Sequence, residues 1–326
     1  MKALRVKTLS KDLSGVDLAD VPEPERQPGE VLVRVHAASL NFPDLLMTKG
    51  KYQFKPDLPF TSGLECAGEV IEADADSGFE PGNRVMGGNK TGAFAEIASL
   101  PSRGLSRVPD NFSFAQGAAM GAAYSTAYTG LVELCGLKAG GSVLVTGASG
   151  GVGLAAIDLA NALDATTIAA TGVAAKKEAI TALASPDYTI LSEGRFREAI
   201  SDLTEGKLCD IVFDNVGGDV FDECTRCVSF AGKLVVCGFT SGRIPTVATN
   251  IPLIKGFSIV GLRAGEYARR FPERGKAINA AICELAEAGR IHPAVGTTLP
   301  LSRWREGFEA MANREVVGKV VFEPGA

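Results

Sequence analysis

The sequence predicts an α/β protein in two parts, one β-rich and made of short strands, the other built on a doubly wound parallel sheet. Two rhythms along the chain carry this reading, and length supports it. The first hundred residues are short alternating segments broken by turn clusters, which suggest a small barrel or sandwich. After Phe114 the pattern becomes strand–helix–strand, as a parallel sheet requires. At 326 residues the chain is too long for one ordinary core.

In the β-rich part, Val31, Val33 and Val35 alternate with Leu32, Arg34 and His36 after Pro28-Gly29, a strand leaving a turn. Further strands are expected near Ala67–Ala73 and Phe94–Leu100, divided by clusters such as Pro81-Gly82-Asn83. Residues 118–134 are alanine-rich with helical spacing. The α/β part then reads as strand 142–146, helix 152–163, strand 166–170 and helix 174–184. Later strands are expected at 210–214 and 233–237 with a helix near 220–230. A helix at 272–288 and a strand at 319–322 close the chain.

Composition excludes several classes. The net charge of -5 argues against a generic nucleic-acid or acidic-membrane surface. No apolar run approaches a membrane span, and the N-terminus reads as a strand instead of a leader. Seven cysteines at irregular spacings do not form a disulfide framework and fit reduced thiols in the cytoplasm.

The most informative segment is Val143-Leu-Val-Thr-Gly147-Ala-Ser149-Gly150-Gly151-Val152-Gly153, which joins an apolar strand to an apolar helix. Small residues there let backbone approach a pyrophosphate, and free N–H groups at the helix N-terminus stabilise its charge. A tight strand–helix turn that binds no nucleotide is the competing reading. The second strand lacks the acid that would accept a bond from a ribose 2′-hydroxyl; the stretch after Ala170 instead reaches Lys176 and Lys177. A cation where an acid is missing suits a 2′-phosphate, hence NADPH. An ordinary solvated helix face would also place lysines there.

These motifs resemble the zeta-crystallin-like quinone oxidoreductases, a branch of the medium-chain dehydrogenase/reductase superfamily, and the resemblance runs nearly end to end. It is carried by the glycine loop, by Ala37-Ala-Ser-Leu-Asn41-Phe-Pro-Asp44, by Gly50-Lys-Tyr52 and by Pro59-Phe-Thr-Ser-Gly63-Leu-Glu65-Cys-Ala-Gly68. Ser125-Thr126-Ala-Tyr128, Asp214-Asn215-Val-Gly217-Gly218, Cys237-Gly238-Phe239 and Val317-Gly318-Lys319 follow in order. The resemblance implies a GroES-like catalytic domain (1–120 and 256–326) enclosing a Rossmann NADPH-binding domain (121–255), with the active site in the cleft. It implies cofactor contacts from Thr126, Ser149, Gly150, Gly151, Val152, Lys176, Asn215, Gly238, Phe239 and Lys319, and a homodimer is the expected assembly.

The three positions that hold zinc in metal-dependent relatives carry Asn41, Leu64 and Ala122, none of them a thiolate or imidazole. The four-cysteine lobe of those relatives is also missing. Cys224-Thr-Arg-Cys227 has the spacing of a redox or metal pair but lies on an expected helix, where small core residues are the simpler reading. Ser192 stands where some relatives place a tyrosine over the adenine, and a serine cannot stack.

Without zinc, the acceptor must be activated by hydrogen bonds, since hydride addition to a quinone or enone collects charge on oxygen. Asn41, Asp44 and Tyr52 are the candidate catalytic residues. Thioester-reducing relatives use a tyrosine eleven residues after the asparagine, and Tyr52 stands at that offset. Each has a structural alternative: Asn41 as a helix N-cap, Asp44 as a first-turn acid, Tyr52 as the edge of a cleft. The expected activity is NADPH-dependent hydride transfer to a quinone or other α,β-unsaturated carbonyl. The alternatives are an enoyl-thioester reductase and a non-catalytic, crystallin-like NADPH-binding protein. Zeta-crystallins also bind RNA, which the acidic balance here disfavours.

Overall fold

The computed structural model describes residues 1–325 as two compact units, Met1–Gly121 with the chain from Val295 on, and Ala122–Ala294. The fold is a GroES-like β-rich unit plus a Rossmann-type parallel sheet.

The first unit opens with β1 (Lys2–Val6), β2 (Val16–Asp20) and β3 (Glu30–Ser39), followed by the short helix α1 (Phe42–Thr48). Then come β4 (Phe60–Thr61), β5 (Glu65–Glu72), β6 (Arg84–Gly88), β7 (Ile97–Pro101) and β8 (Leu105–Arg107). Helix α2 (Phe114–Tyr128) runs into a π-helical stretch, Thr129–Leu134. The second unit continues with β9 (Ser142–Thr146), α3 (Gly151–Ala162), β10 (Thr166–Thr171), α4 (Lys177–Ala184), β11 (Tyr188–Leu191), α5 (Arg197–Leu203) and β12 (Cys209–Asp214). After these come α6 (Gly218–Cys224), β13 (Val228–Val236), α7 (Asn250–Lys255), β14 (Ser258–Gly261), α8 (Ala264–Arg270) and α9 (Pro272–Glu287). The chain returns to the first unit with β15 (Val295–Pro300), α10 (Trp304–Ala312) and β16 (Lys319–Glu323).

In the second unit the parallel sheet has the order β11-β10-β9-β12-β13-β14. Val143, Leu144 and Val145 are wholly buried, which is why β9 reads as a continuous apolar run. The chain builds outward from β9 on one side, then crosses back to place β12 on the other. The loops after β9 and β12 therefore meet at the topological switch point, where sheets of this kind bind ligands.

In the first unit β3 is the hub. It pairs with β5, β7 and β16, within the order β15-β16-β3-β5-β6-β8. Register sets Ser39 opposite both Val321 of β16 and Glu65 of β5. Behind this sheet, Trp304, Phe308, Phe94 and Phe322 pack as an aromatic cluster, with ring centroids 5.2–6.3 Å apart.

Several expected elements differ. The helix placed at 220–230 stops at Cys224, because Val228 must already pair with Cys209 as β13 joins the sheet. Phe230 thus lies in β13 and is exposed. The strand near 94–100 starts only at Ile97. Residues 256–294 belong to the second unit, not the first, since β14 forms its sixth strand beside β13. Cys224 and Cys227 are free and buried, and burial pushes the Cys227 thiol up to about 12, which suits inert core residues. Among the described residues no helix is long and apolar enough to cross a membrane.

Candidate functional site

The residues singled out by sequence fall into two groups, one in each unit. In the second unit most follow the C-terminal ends of β9, β10, β12 and β13, and Thr126 is on α2. Helix α3 begins at Gly151 with Gly150 as its extended N-cap, and no side chain caps it. The first N–H groups of the helix are thus left for a ligand, the arrangement that binds phosphate.

The glycines of this loop are glycine for different reasons. A β-carbon on Gly153 would lie 2.5 Å from the Gly147 carbonyl oxygen, so close packing of helix on strand forbids it. A β-carbon on Gly150 would meet only that same oxygen, at 3.6 Å. The protein itself has room at Gly150, so the space is kept open for something else, and a pyrophosphate fits this cradle. Ser149 and Val152 flank it, half-buried.

Around the cradle, Asp214 is fully buried at the end of β12. Its carboxylate accepts from the Thr146 hydroxyl and from the N–H groups of Val216 (3.0 Å) and Gly217 (2.9 Å). Burial pushes its pKa up, against those bonds. Asn215 donates its side-chain N–H to the Thr146 carbonyl at 2.9 Å, so its amide ties the two loops together. Gly238 hangs from the Asp214 carbonyl, and Phe239 packs over Gly217, partly exposed. Thr126, on α2, gives its hydroxyl to the Ala122 carbonyl at 2.7 Å. Lys176 ends a 3-10 turn just beyond β10 and is half-buried, with Gly172 beside it in open space. No carboxylate stands between Thr171 and Lys176.

In the first unit a polar cluster sits where β3 ends. Lys319 on β16 donates to Glu65 Oε1 at 2.9 Å and to Asn41 Oδ1 at 2.7 Å. Asn41 Nδ2 donates to the same Glu65 oxygen at 2.9 Å and to the Ser39 carbonyl at 3.1 Å. Asn41 occupies the N-cap position of α1 and forms a capping box with Asp44, while its amide also joins this cluster. Asp44 closes the turn by accepting the Asn41 N–H at 2.8 Å. Asp44 is wholly enclosed, and burial pushes its pKa up to about 7, with the Glu65 charge adding and Lys319 opposing.

Lys319, expected among the cofactor contacts, lies in the first unit with Asn41 and Asp44. Tyr52 is in the irregular segment after α1 and packs its ring on the unit's core. Among the described residues its hydroxyl makes no hydrogen bond, and none joins it to the Asn41 cluster. Glu65 had not been read as a site residue. The available signal was an acid inside an apolar strand, matched by a lone lysine in Lys319-Val-Val-Phe322; buried charges of this kind need partners. Of the zinc positions in metal-dependent relatives, Asn41 is committed to the lysine–glutamate pair and Leu64 and Ala122 offer no donor. Among the described residues no three His, Cys, Asp or Glu are grouped to hold a metal.

Residues 27–110 match the family described as alcohol dehydrogenase GroES-like domain, and residues 151–280 the family described as zinc-binding dehydrogenase. The chain is 36% identical over 302 residues to a quinone oxidoreductase-like protein 2 homolog of Nematostella vectensis, covering 90% of this chain and 81% of that protein. A probable oxidoreductase from Mycobacterium abscessus superposes with a TM-score of 0.91 at 33% identity, covering 99% of both chains. A mycobacterial protein solved in complex with NADPH superposes at 0.89 with 27% identity, covering 99% of this chain and 100% of that one.

Proposed function

The chain belongs to the quinone oxidoreductase-like branch of the medium-chain dehydrogenase/reductase superfamily, and on that premise we propose that it is an NADPH-dependent oxidoreductase reducing a quinone or other α,β-unsaturated carbonyl without zinc. The observation that carries this reading is the open position at Gly150, before the uncapped N-terminus of α3 and at the switch point of the sheet.

In this reading the second unit holds the cofactor. The N–H groups of Gly151 and Val152 and the Ser149 side chain take the pyrophosphate, and Lys176 takes the 2′-phosphate in place of the missing acid. Asn215 and Asp214 fix the loop beside it. When bound, the reduced nicotinamide supplies hydride. The first unit does the remaining chemistry: Asn41 and Lys319 hold the nicotinamide side, and Tyr52, whose hydroxyl is uncommitted, donates the proton. Asp44 is enclosed and supports Asn41 instead of meeting substrate. With Asn41, Leu64 and Ala122 at the zinc positions, the carbonyl is activated by hydrogen bonds alone.

The exposed edge strand β14, with Phe230, Leu253 and Ile254 exposed near it, supports a homodimer. The seven cysteines form no disulfide and five of them are buried, which suits the cytoplasm. NADPH absorbance during incubation with quinones, enals and crotonyl thioesters tests the activity. Turnover of quinones or enals that survives chelation supports the reading. Turnover confined to thioesters moves it to an enoyl reductase, and NADPH binding without turnover moves it to a carrier. About one zinc per chain, lost together with activity, would remove the zinc-free mechanism.

A further inference from the structure

Helix α3 carries a single charged residue, Asp158, and its side chain is only 12% exposed. A carboxylate in such a place is costly unless it is hydrogen-bonded. Asp158 meets that need with two donors on one oxygen. Its Oδ2 accepts from the Tyr124 hydroxyl at 2.5 Å and from the His292 backbone N–H at 2.7 Å. The donors lie 34 positions before it and 134 positions after it. Both stand where the chain passes between the two units. Tyr124 is three residues beyond Gly121, where the first unit breaks off, and His292 is three before Val295, where it resumes. One carboxylate thus holds the chain at both connections. At His292 the anchor is main chain: the imidazole is exposed, and its Nδ1 stays 3.8 Å from Asp158 Oδ1, too far for a hydrogen bond.

The helix that carries this carboxylate begins at the phosphate cradle. Gly151 is seven residues before Asp158, about 10 Å along the axis, and the chain from Gly153 to Ala160 is buried throughout. We propose that Asp158 is a positioning residue that ties both connections to the cofactor helix, so that a dinucleotide in the cradle steadies the His292 anchor through α3. This rests on the reading above, in which the cradle takes a pyrophosphate. Linkage makes the tie reciprocal: the factor by which the ligand suppresses opening of the anchor equals the factor by which an open anchor weakens the ligand. Asp158 lies two helical turns from the cradle, so any effect of its removal on affinity travels through the helix.

Hydrogen exchange with and without NADPH, in the absence of substrate, reads both ends of the helix. In the parent protein NADPH should slow exchange at residues 147–153 and, roughly fivefold, at the His292 amide. Asp158→Ala should keep the first effect at saturating NADPH, lose the second, and weaken NADPH roughly fivefold in titration. Asp158→Asn offers an amide oxygen to the same two donors and should behave as the parent. His292→Ala keeps the backbone donor and should do likewise. A merely structural Asp158 predicts otherwise: its removal would speed exchange at His292 equally with and without NADPH, and that result overturns the inference. So does Asp158→Asn behaving as the alanine variant. Protection of 147–153 in the parent with no response at His292 also overturns it and leaves the cofactor reading standing. That measurement needs no variant, so it decides the matter even where Asp158→Ala fails to fold. No protection at 147–153 would bring down the cofactor reading itself.

Discussion

Lys319 Nζ stands 2.9 Å from Glu65 Oε1, on strands that flank β3 from opposite sides, and each side chain is only 7% exposed. Breaking a buried pair by removing one member leaves an uncompensated charge, which costs about 3–5 kcal/mol. Lys319→Met should therefore destabilise the first unit by about that amount, and Lys319→Met with Glu65→Gln should recover part of it. Trp304 is the single tryptophan and is buried in this unit, so its fluorescence during denaturation reports the change directly. A Lys319→Met protein as stable as the parent would mean the pair is not buried as described.

Asp44 gives stability a pH dependence. Its pKa is raised by burial from the ordinary 3.8 to about 7. Between those values the folded chain holds a proton that the unfolded chain releases, so stability falls as pH rises through the window, by up to about 1.4 kcal/mol per unit. Below about 4 the group is protonated in both states, and above about 7 in neither, so it adds no slope there. Asp44→Asn should remove this contribution. The measurement is denaturant unfolding of both proteins across the window; a stability difference independent of pH would count against a protonated Asp44.

Two glycines three residues apart should respond in opposite ways. Gly153→Ala drives a β-carbon to 2.5 Å from the Gly147 carbonyl oxygen, so it should lower the melting temperature. Gly150→Ala meets only a contact at 3.6 Å, so the fold should stand while the new methyl occupies the phosphate cradle. We expect NADPH affinity to drop by at least about tenfold in that variant, the equivalent of one lost charged hydrogen bond. Unchanged NADPH titration in Gly150→Ala would show that the phosphate is held elsewhere.

Lys176 tests the choice of cofactor. A charged hydrogen bond to the 2′-phosphate contributes roughly 1.5–3 kcal/mol. Lys176→Ala should weaken NADPH by about ten- to a hundredfold and leave NADH nearly untouched. Equal loss for both cofactors would assign Lys176 another task, and a selective loss only in Lys177→Ala would shift the role by one residue.

Tyr52 should separate the two substrate classes. Reduction of an enone or enoyl thioester puts a proton on carbon, where a positioned acid contributes typically 10²–10⁴-fold. A reduced quinone is an oxyanion that water protonates freely. Tyr52→Phe keeps the ring on its core contacts and removes the uncommitted hydroxyl, so alkene reduction should collapse while quinone reduction persists. Both activities within a few-fold of the parent would leave Tyr52 as wall alone.

What the sequence determined by itself was local. The run from Val143 to Gly153 announced strand, loop and helix because burial of β9, close packing at Gly153 and an uncapped helix start all act within a dozen residues. The absence of an acid after Thr171 is likewise local. Tertiary structure decided which charges meet. Glu65 and Lys319 are 254 positions apart, and only the shared register on β3 brings them to the side chain of Asn41. The same holds for the end of α6: helical spacing continued past Cys224, but the place of Val228 beside Cys209 in the sheet stopped it. The roles of Asn41 diverged for this reason. As an isolated residue before Phe42-Pro43 it is a helix cap with a free amide. In the folded chain it keeps the cap, and its amide also answers a buried lysine and glutamate, which must be satisfied away from water.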